Sequence, residues 1–253
     1  VLENFQAYTH KGIYHIVFDH MKRPYNFLDT QTLQELEVLI GVVEMGNYKG
    51  VVFTSNKSTF IVGANIKIFV TAHDADDETI NGFLTEGQDV LNRIEDLPIP
   101  TCSIIKGTTM GGGLELALAC TTRLLVKDPV PENPEYTTLQ LTKLALPSWG
   151  GTTRLPRIIY PTKAIELICT GRNVKQKEAL KIGLVDGIVE YPKALDVAYE
   201  LIYNLSDEDM LRWATIRNKK VGPTSMSKLR ASVTYPSDEC RELVQKFLNG
   251  ERG

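Results

Sequence analysis

Between Gly107 and Cys120 the chain reads GTTMGGGLELALAC. Three consecutive glycines, Gly111 to Gly113, run into a helix-forming stretch, and one carboxylate, Glu115, follows two residues past the last of them. Glycines ahead of a helix let a ligand approach the backbone closely, and the first helical turn offers N–H groups with no intrahelical acceptor. Such donors suit an anion or an oxygen that gains charge during a reaction. A glutamate in that same turn is within reach of the ligand as a general base. The same residues also read as a tight turn with close helix–strand packing, with Glu115 as a capping carboxylate favoured by about 0.3–1 kcal/mol. A second small-residue turn, in FIVGANIKIF from Phe60 to Phe69, again lies between a strand and a helix start.

The elements that must carry these turns are legible in outline. GIYHIVFDH alternates as a strand does and ends at the turn-like MKRPYN. DTQTLQELEVLIGVVEMG opens on a capping residue, places Leu33, Leu36, Leu39, Ile40 and Val43 at helical spacing, and stops at Gly46. GVVFTS is a short apolar strand. The acidic HDADDETI reads as an exposed loop and helix start, FLTEGQDVLNRIEDL has helical period, and PIP ends it. TCSIIKG is a strand leading into the triple glycine, and GLELALAC a helix. Alternating strands and helices predict stacked β/α units with mainly parallel pairing. From about Asn204 the pattern is helical, through EDMLRWATIRNKK and SDECRELVQKFLNG.

Composition excludes several function classes. With 253 residues, the chain can bury a large core without staples. A net charge of −3 gives no electrostatic footprint for nucleic acid. The longest apolar runs fall short of the roughly 20 residues a membrane span needs. Cys102, Cys120, Cys169 and Cys240 show no CxxC spacing, and His10, His15, His20 and His73 do not cluster with them, so no zinc site is expected. Scattered reduced thiols and the lack of a secretory leader set the expectation of a cytoplasmic protein.

FIVGANI, GGGLELALAC, PSWGGTTRLPR and ALKIGLVDGIV, in that order and spacing, resemble the crotonase (enoyl-CoA hydratase/isomerase) superfamily. The likeness covers about Tyr14 to Val189. FIVGANI, NRIEDLPIPT and GLVDGIV bring it nearest to the hydratase portion of the alpha subunit of bacterial multifunctional fatty-acid oxidation complexes; no dehydrogenase half is expected here. The resemblance implies an α/β fold, a ClpP/crotonase-like spiral of ββα units. It also implies a core domain over 1–200 and a helical region over 201–253 used in subunit contacts within a homotrimer or a dimer of trimers. It implies a coenzyme A thioester as substrate, with no permanently bound cofactor and no nucleic-acid or membrane partner. Carried over by position, Ala64 and Gly112 supply the two N–H groups of an oxyanion hole, and Glu115 is the base that activates water. Lys67, Tyr25, Asn26 and Gly63 fall where the family borders the coenzyme A.

One departure bears on the reaction. A two-glutamate hydratase carries a second glutamate in a PE dipeptide some nine or ten residues before the Gly-Gly of GGT. Counting back from Gly150 and Gly151 puts Gln140 there, or Leu141 with one deletion. The nearby PE pairs, ending at Glu132 and Glu135, lie in VPENPEY, which looks inserted; folded back, Glu135 is the alternative second acid. A glutamine orients water but delivers no proton, and losing a positioned acid costs about 10²–10⁴-fold. Three readings follow: an enoyl-CoA hydratase using Glu115 with a replaced proton source; another crotonase reaction such as decarboxylation, C–C hydrolysis or isomerisation; or a weakly catalytic acyl-CoA-binding subunit.

Overall fold

The computed structural model describes residues 2–64, 77–127, 138–141, 147 and 149–218. Lys67, the expected helix start at 65–69, Glu132, Glu135 and the segment from 219 onward lie outside the described residues.

The sheet begins with a hairpin, β1 (Phe5–His10) and β2 (Ile13–Phe18), paired antiparallel from Phe5↔Phe18 to His10↔Ile13. Its two-residue turn, Lys11–Gly12, holds both residues at positive φ (51° and 73°), the twist that a tight hairpin requires. Parallel strands follow: β3 (Gly50–Ser55), β4 (Thr101–Ile105), β6 (Thr122–Val126) and β9 (Gly187–Val189). The order is β1-β2-β3-β4-β6-β9. A second, small sheet joins β5 (Thr109–Met110), β7 (Thr138–Gln140) and β8 (Val174–Lys175).

Helices cover both faces of the large sheet, which is why its central strands read as apolar runs rather than alternating ones. On the inner face, α1 (Thr30–Met45) buries Leu33, Leu36, Leu39, Ile40 and Val43, the stripe that the spacing predicts. The Asp29 side chain caps it by accepting from Thr32 N. α2 (Asp77–Asp96) joins it, with α3 (Gly112–Ala119), α4 (Gly151–Ile158), α5 (Pro161–Thr170) and α6 (Gln176–Lys181) following along the chain. On the outer face, Ile13, Val52, Cys102, Ile104, Leu124 and Val126 pack against Ala194, Ala198, Tyr199 and Ile202 of α7 (Ala194–Asn204). α8 (Asp207–Asn218) comes next.

Two features depart from the sequence reading. β1 and the small sheet carry no recognisable pattern: β1 buries only Phe5 to completion, and two-residue strands are too short to show a period. The helix after the triple glycine begins inside it, at Gly112. Packing explains why glycine is kept there. A Cβ on Gly112 would lie 2.5 Å from the Trp149 ring, and one on Gly113 would lie 2.5 Å from the Ile61 carbonyl oxygen.

Candidate active site

The two small-residue turns meet. After β3 the chain passes through Ile61–Ala64 beside β5, where Met110 N donates to Ile61 O at 3.0 Å. On its other side Val62 N donates to Asn26 O at 2.9 Å and Leu28 N to Gly63 O at 2.8 Å, and Leu28 and Ala64 form a parallel bridge. Gly63 and Gly111 both hold positive φ (103° and 50°), and a Cβ on Gly111 would lie 3.7 Å from the Gly63 Cα. The residues that follow them are Ala64 and Gly112. Among the described residues no hydrogen bond ends on either N–H. For Gly112 the cause is general, because the first N–H of a helix has no acceptor within it.

Glu115 is 3% exposed in the first turn of α3. Its Oε1 accepts from Trp149 N at 2.8 Å and from Gly151 N at 2.9 Å, the second being the opening residue of α4. The carboxylate therefore faces the positive end of a second helix. Burial pushes its pKa up to about 7, against the opposing pull of the two N–H groups and of Arg154. A carboxyl poised near neutrality can both take and return a proton.

The turn that holds Glu115 is braced from below. Gly150 sits at φ 105°, and a Cβ there would lie 2.2 Å from Arg154 Nη1. Nη1 donates to Trp149 O at 2.7 Å, Nε to Glu95 Oε2 at 2.9 Å and Nη2 to Asn92 Oδ1 at 2.7 Å. The Trp149 indole lies over Gly112 and against Phe83, whose ring meets it edge-on at 5.2 Å.

The remaining expected site residues are placed as follows. Gln140 lies on β7 opposite Met110, and its carbonyl accepts from Gly111 N at 2.9 Å, directly behind the glycine turn. Its side-chain Nε2 donates to the Gly171 carbonyl at the end of α5. Leu141, the alternative, is buried in the core. Tyr25 is exposed beside Phe27. Asn26 is buried, and its carboxamide is spent within the fold: Nδ2 donates to Phe18 O, Ser55 Oγ and Phe60 O, while Oδ1 accepts from His20 N. It clamps the loop that bridges to Ala64. Sequence reasoning passed over Trp149, Gly151 and Arg154 as individual actors, although the PSWGGTTRLPR stretch that holds them was one of the motifs.

Residues 9–246 match the enoyl-CoA hydratase/isomerase family. The chain belongs to that family. The enoyl-CoA hydratase from Bacillus anthracis is 26% identical, with 98% of this chain and 96% of that one aligned at a TM-score of 0.73. An enoyl-CoA hydratase/isomerase from Mycobacterium paratuberculosis superposes at 0.81 with 16% identity over 96% of this chain and 98% of that one. The enoyl-CoA hydratase from Bacillus halodurans does so at 0.79 with 16% identity over 96% and 99%. The last two likenesses establish the crotonase fold. Among the described residues of this enoyl-CoA hydratase/isomerase family member, no helix is long and apolar enough to cross a membrane. No cluster of three metal-ligating side chains is found among them either.

Proposed function

We propose that the protein is an acyl-CoA lyase that adds water across a 2,3 double bond, with Glu115 as its one proton-transfer group. The observation that carries this reading is the buried Glu115 carboxyl, anchored through Oε1 and held at a pKa of about 7 beside the Ala64–Gly112 turns. The thioester carbonyl accepts from the N–H groups of Ala64 and Gly112. Glu115 takes a proton from water as the water oxygen bonds to Cβ, and the displaced π pair makes an enolate whose oxygen those two donors stabilise. Glu115 then returns the proton to Cα, the enolate collapses, and one water has been added. Lys67, Tyr25 and Gly63 border the coenzyme A in this reading, while Asn26 acts through the loop it clamps. Coenzyme A enters as part of the substrate. Family likeness supports a cytoplasmic homotrimer or dimer of trimers with contacts through the helical region; a clean monomer in sedimentation at micromolar concentration counts against that.

A second reading has its own observation. With Gln140 at the position of the family's second glutamate, that position offers no acid, and its amide is bound to Gly171. Decarboxylation or C–C hydrolysis of an acyl-CoA needs only the oxyanion hole and one acid/base. The deciding experiment follows crotonyl-CoA by loss of enoyl-thioester absorbance and by mass spectrometry of the product. Formation of 3-hydroxybutyryl-CoA supports hydration. Binding without turnover, combined with product release from a carboxylated or diketo acyl-CoA in the same assay, overturns it.

A further inference from the structure

Arg154 and Glu95 form an ion pair at 2.9 Å with side chains 3% and 4% exposed. A buried pair of this kind is weak evidence for stability, because desolvation offsets most of its attraction. Its placement is more informative. The guanidinium uses Nε, Nη1 and Nη2 on three different acceptors, and the acceptor of Nη1 is the carbonyl of Trp149, whose own N–H holds Glu115. Arg154 N also donates to Gly150 O at 2.8 Å. Gly150 is left-handed, and the guanidinium occupies the space that a side chain there would need. Glu95 and Asn92 belong to α2, whose Gly87 also seats the Trp149 indole. The turn from Trp149 to Gly151 is thus held against α2 at two points.

We propose that Arg154 is the positioning residue of this site: tethered to Glu95 and Asn92, it fixes the turn whose two N–H groups aim the Glu115 carboxyl. A planar fork with three fixed donor directions does this, and a flexible ammonium does not. Among the described residues, the charged groups around the turn are Arg154 and Arg157 of α4, Glu95 of α2 and Glu115 of α3, with Arg157 3.5 Å from the other oxygen of Glu95. Arg154 also lowers the Glu115 pKa through its charge, a smaller effect than the two N–H bonds.

The inference rests on Glu115 as the proton-transfer group, so its test includes a readout that needs no turnover. The Glu115 carboxyl is titrated by infrared difference against Glu115→Gln, in the full chain and in Arg154→Gln, alongside kcat and KM on crotonyl-CoA. Arg154→Gln is expected to titrate about one pH unit higher. Its kcat should fall by up to about 10²-fold with KM little changed, as misplacement of a reacting group predicts. Arg154→Lys should restore the titration but not kcat, separating charge from geometry. A folded Arg154→Gln with unshifted titration and unchanged kcat overturns the proposal. If that variant does not fold, Asn92→Ala decides: a lower kcat at unchanged KM supports positioning, and an unchanged kcat overturns it. If the parent protein does not hydrate crotonyl-CoA, the Glu115 carboxyl stretch decides: a band displaced in Arg154→Lys although the titration is restored keeps the positioning role while the hydration reading falls, and an undisplaced band overturns it.

Discussion

The molecule buries a titratable side chain on each side of its sheet, and the two are treated in opposite ways. Glu115, on the inner side, has two backbone N–H donors on one oxygen and Arg154 nearby, so burial carries its pKa only to about 7. His15, on the outer side in the middle of β2, is under α7 with its Nε2 2.8 Å from the Tyr199 hydroxyl and its Nδ1 unpartnered. Its ring stacks on Tyr8 at 4.5 Å, and burial, with His10 adding repulsion, pushes its pKa down to about 4. Burial displaces both groups toward their neutral forms. Only the one met by preorganised backbone donors stays within reach of its charged form at neutral pH. Glycine turns, rather than depth, separate a candidate site from a buried polar residue.

The sharpest way to break this comparison is Glu115→Gln. The amide keeps the shape and still accepts from Trp149 and Gly151, but it has no basicity, so turnover should fall by about 10²–10⁴-fold with acyl-CoA binding retained. Stability should move the other way. The folded pKa lies above the unfolded value of 4.5, so the native state holds a proton the unfolded chain has released. That contribution is present below pH 4.5 and lost as pH rises through 7, at about 1.4 kcal/mol per unit of displacement. Above pH 7 the variant is expected to be more stable than the parent by up to about 3 kcal/mol. Denaturant titration at pH 8 checks this, and equal or lower stability would show that Glu115 is no strained charge.

On the outer side the sign reverses. His15 has a folded pKa below its unfolded 6.5, so its contribution is present above pH 6.5. As pH falls toward 4, the unfolded chain binds a proton that the native state refuses, and stability is lost by up to about 3 kcal/mol. His15→Phe keeps a ring against Tyr8 and should flatten that acid limb. Tyr199→Phe leaves Nε2 unpartnered and should cost about 1–3 kcal/mol. In both variants turnover of the folded protein is expected to be unchanged. A drop in kcat would mean that the two sides of the sheet are coupled.

What could be read in the sequence was what depends on near neighbours. α1 was legible because Asp29 and the Leu33–Val43 stripe lie within its own turns. The glycine turns were legible because each lies between a strand and a helix signal. Glu115 could be picked out, but its holders could not: Trp149 and Gly151 are 34 and 36 positions away and act through backbone that carries no side-chain signature. Arg154 carries no signal of its own in the sequence, because its partner Glu95 lies 59 positions earlier. Asn26 shows the converse: the resemblance places it beside the coenzyme A, and its side chain serves Phe18, Ser55 and Phe60. Packing also limits one obvious test: Gly112→Pro would remove a donor, but its ring would collide with Trp149, which also holds Glu115.

The smallest expected effect concerns Gln140, which joins the inner site to the end of α5. Its amide donates to the Gly171 carbonyl, and its own carbonyl holds Gly111. Gln140→Glu keeps the length but replaces the donor by an acceptor when ionised. At pH 8 a carboxylate oxygen would then face a carbonyl in a buried place, and stability should fall by about 1–3 kcal/mol. When protonated, the new carboxyl can donate to Gly171, so its folded pKa is raised and most of the loss is recovered as pH falls toward 5. The effect on hydration tells where the side chain goes. If the carboxyl stays on Gly171, crotonyl-CoA turnover is unchanged. If it swings toward Glu115 and supplies a second acid, turnover rises by about 10²-fold or more, while the stability loss persists at both pH values because Gly171 has lost its donor. Thermal melts at pH 5 and pH 8 beside the hydration assay separate these outcomes. Full stability at pH 8 would show that the Gln140–Gly171 bond contributes nothing, and that this glutamine is not held away from the reacting groups by the end of α5.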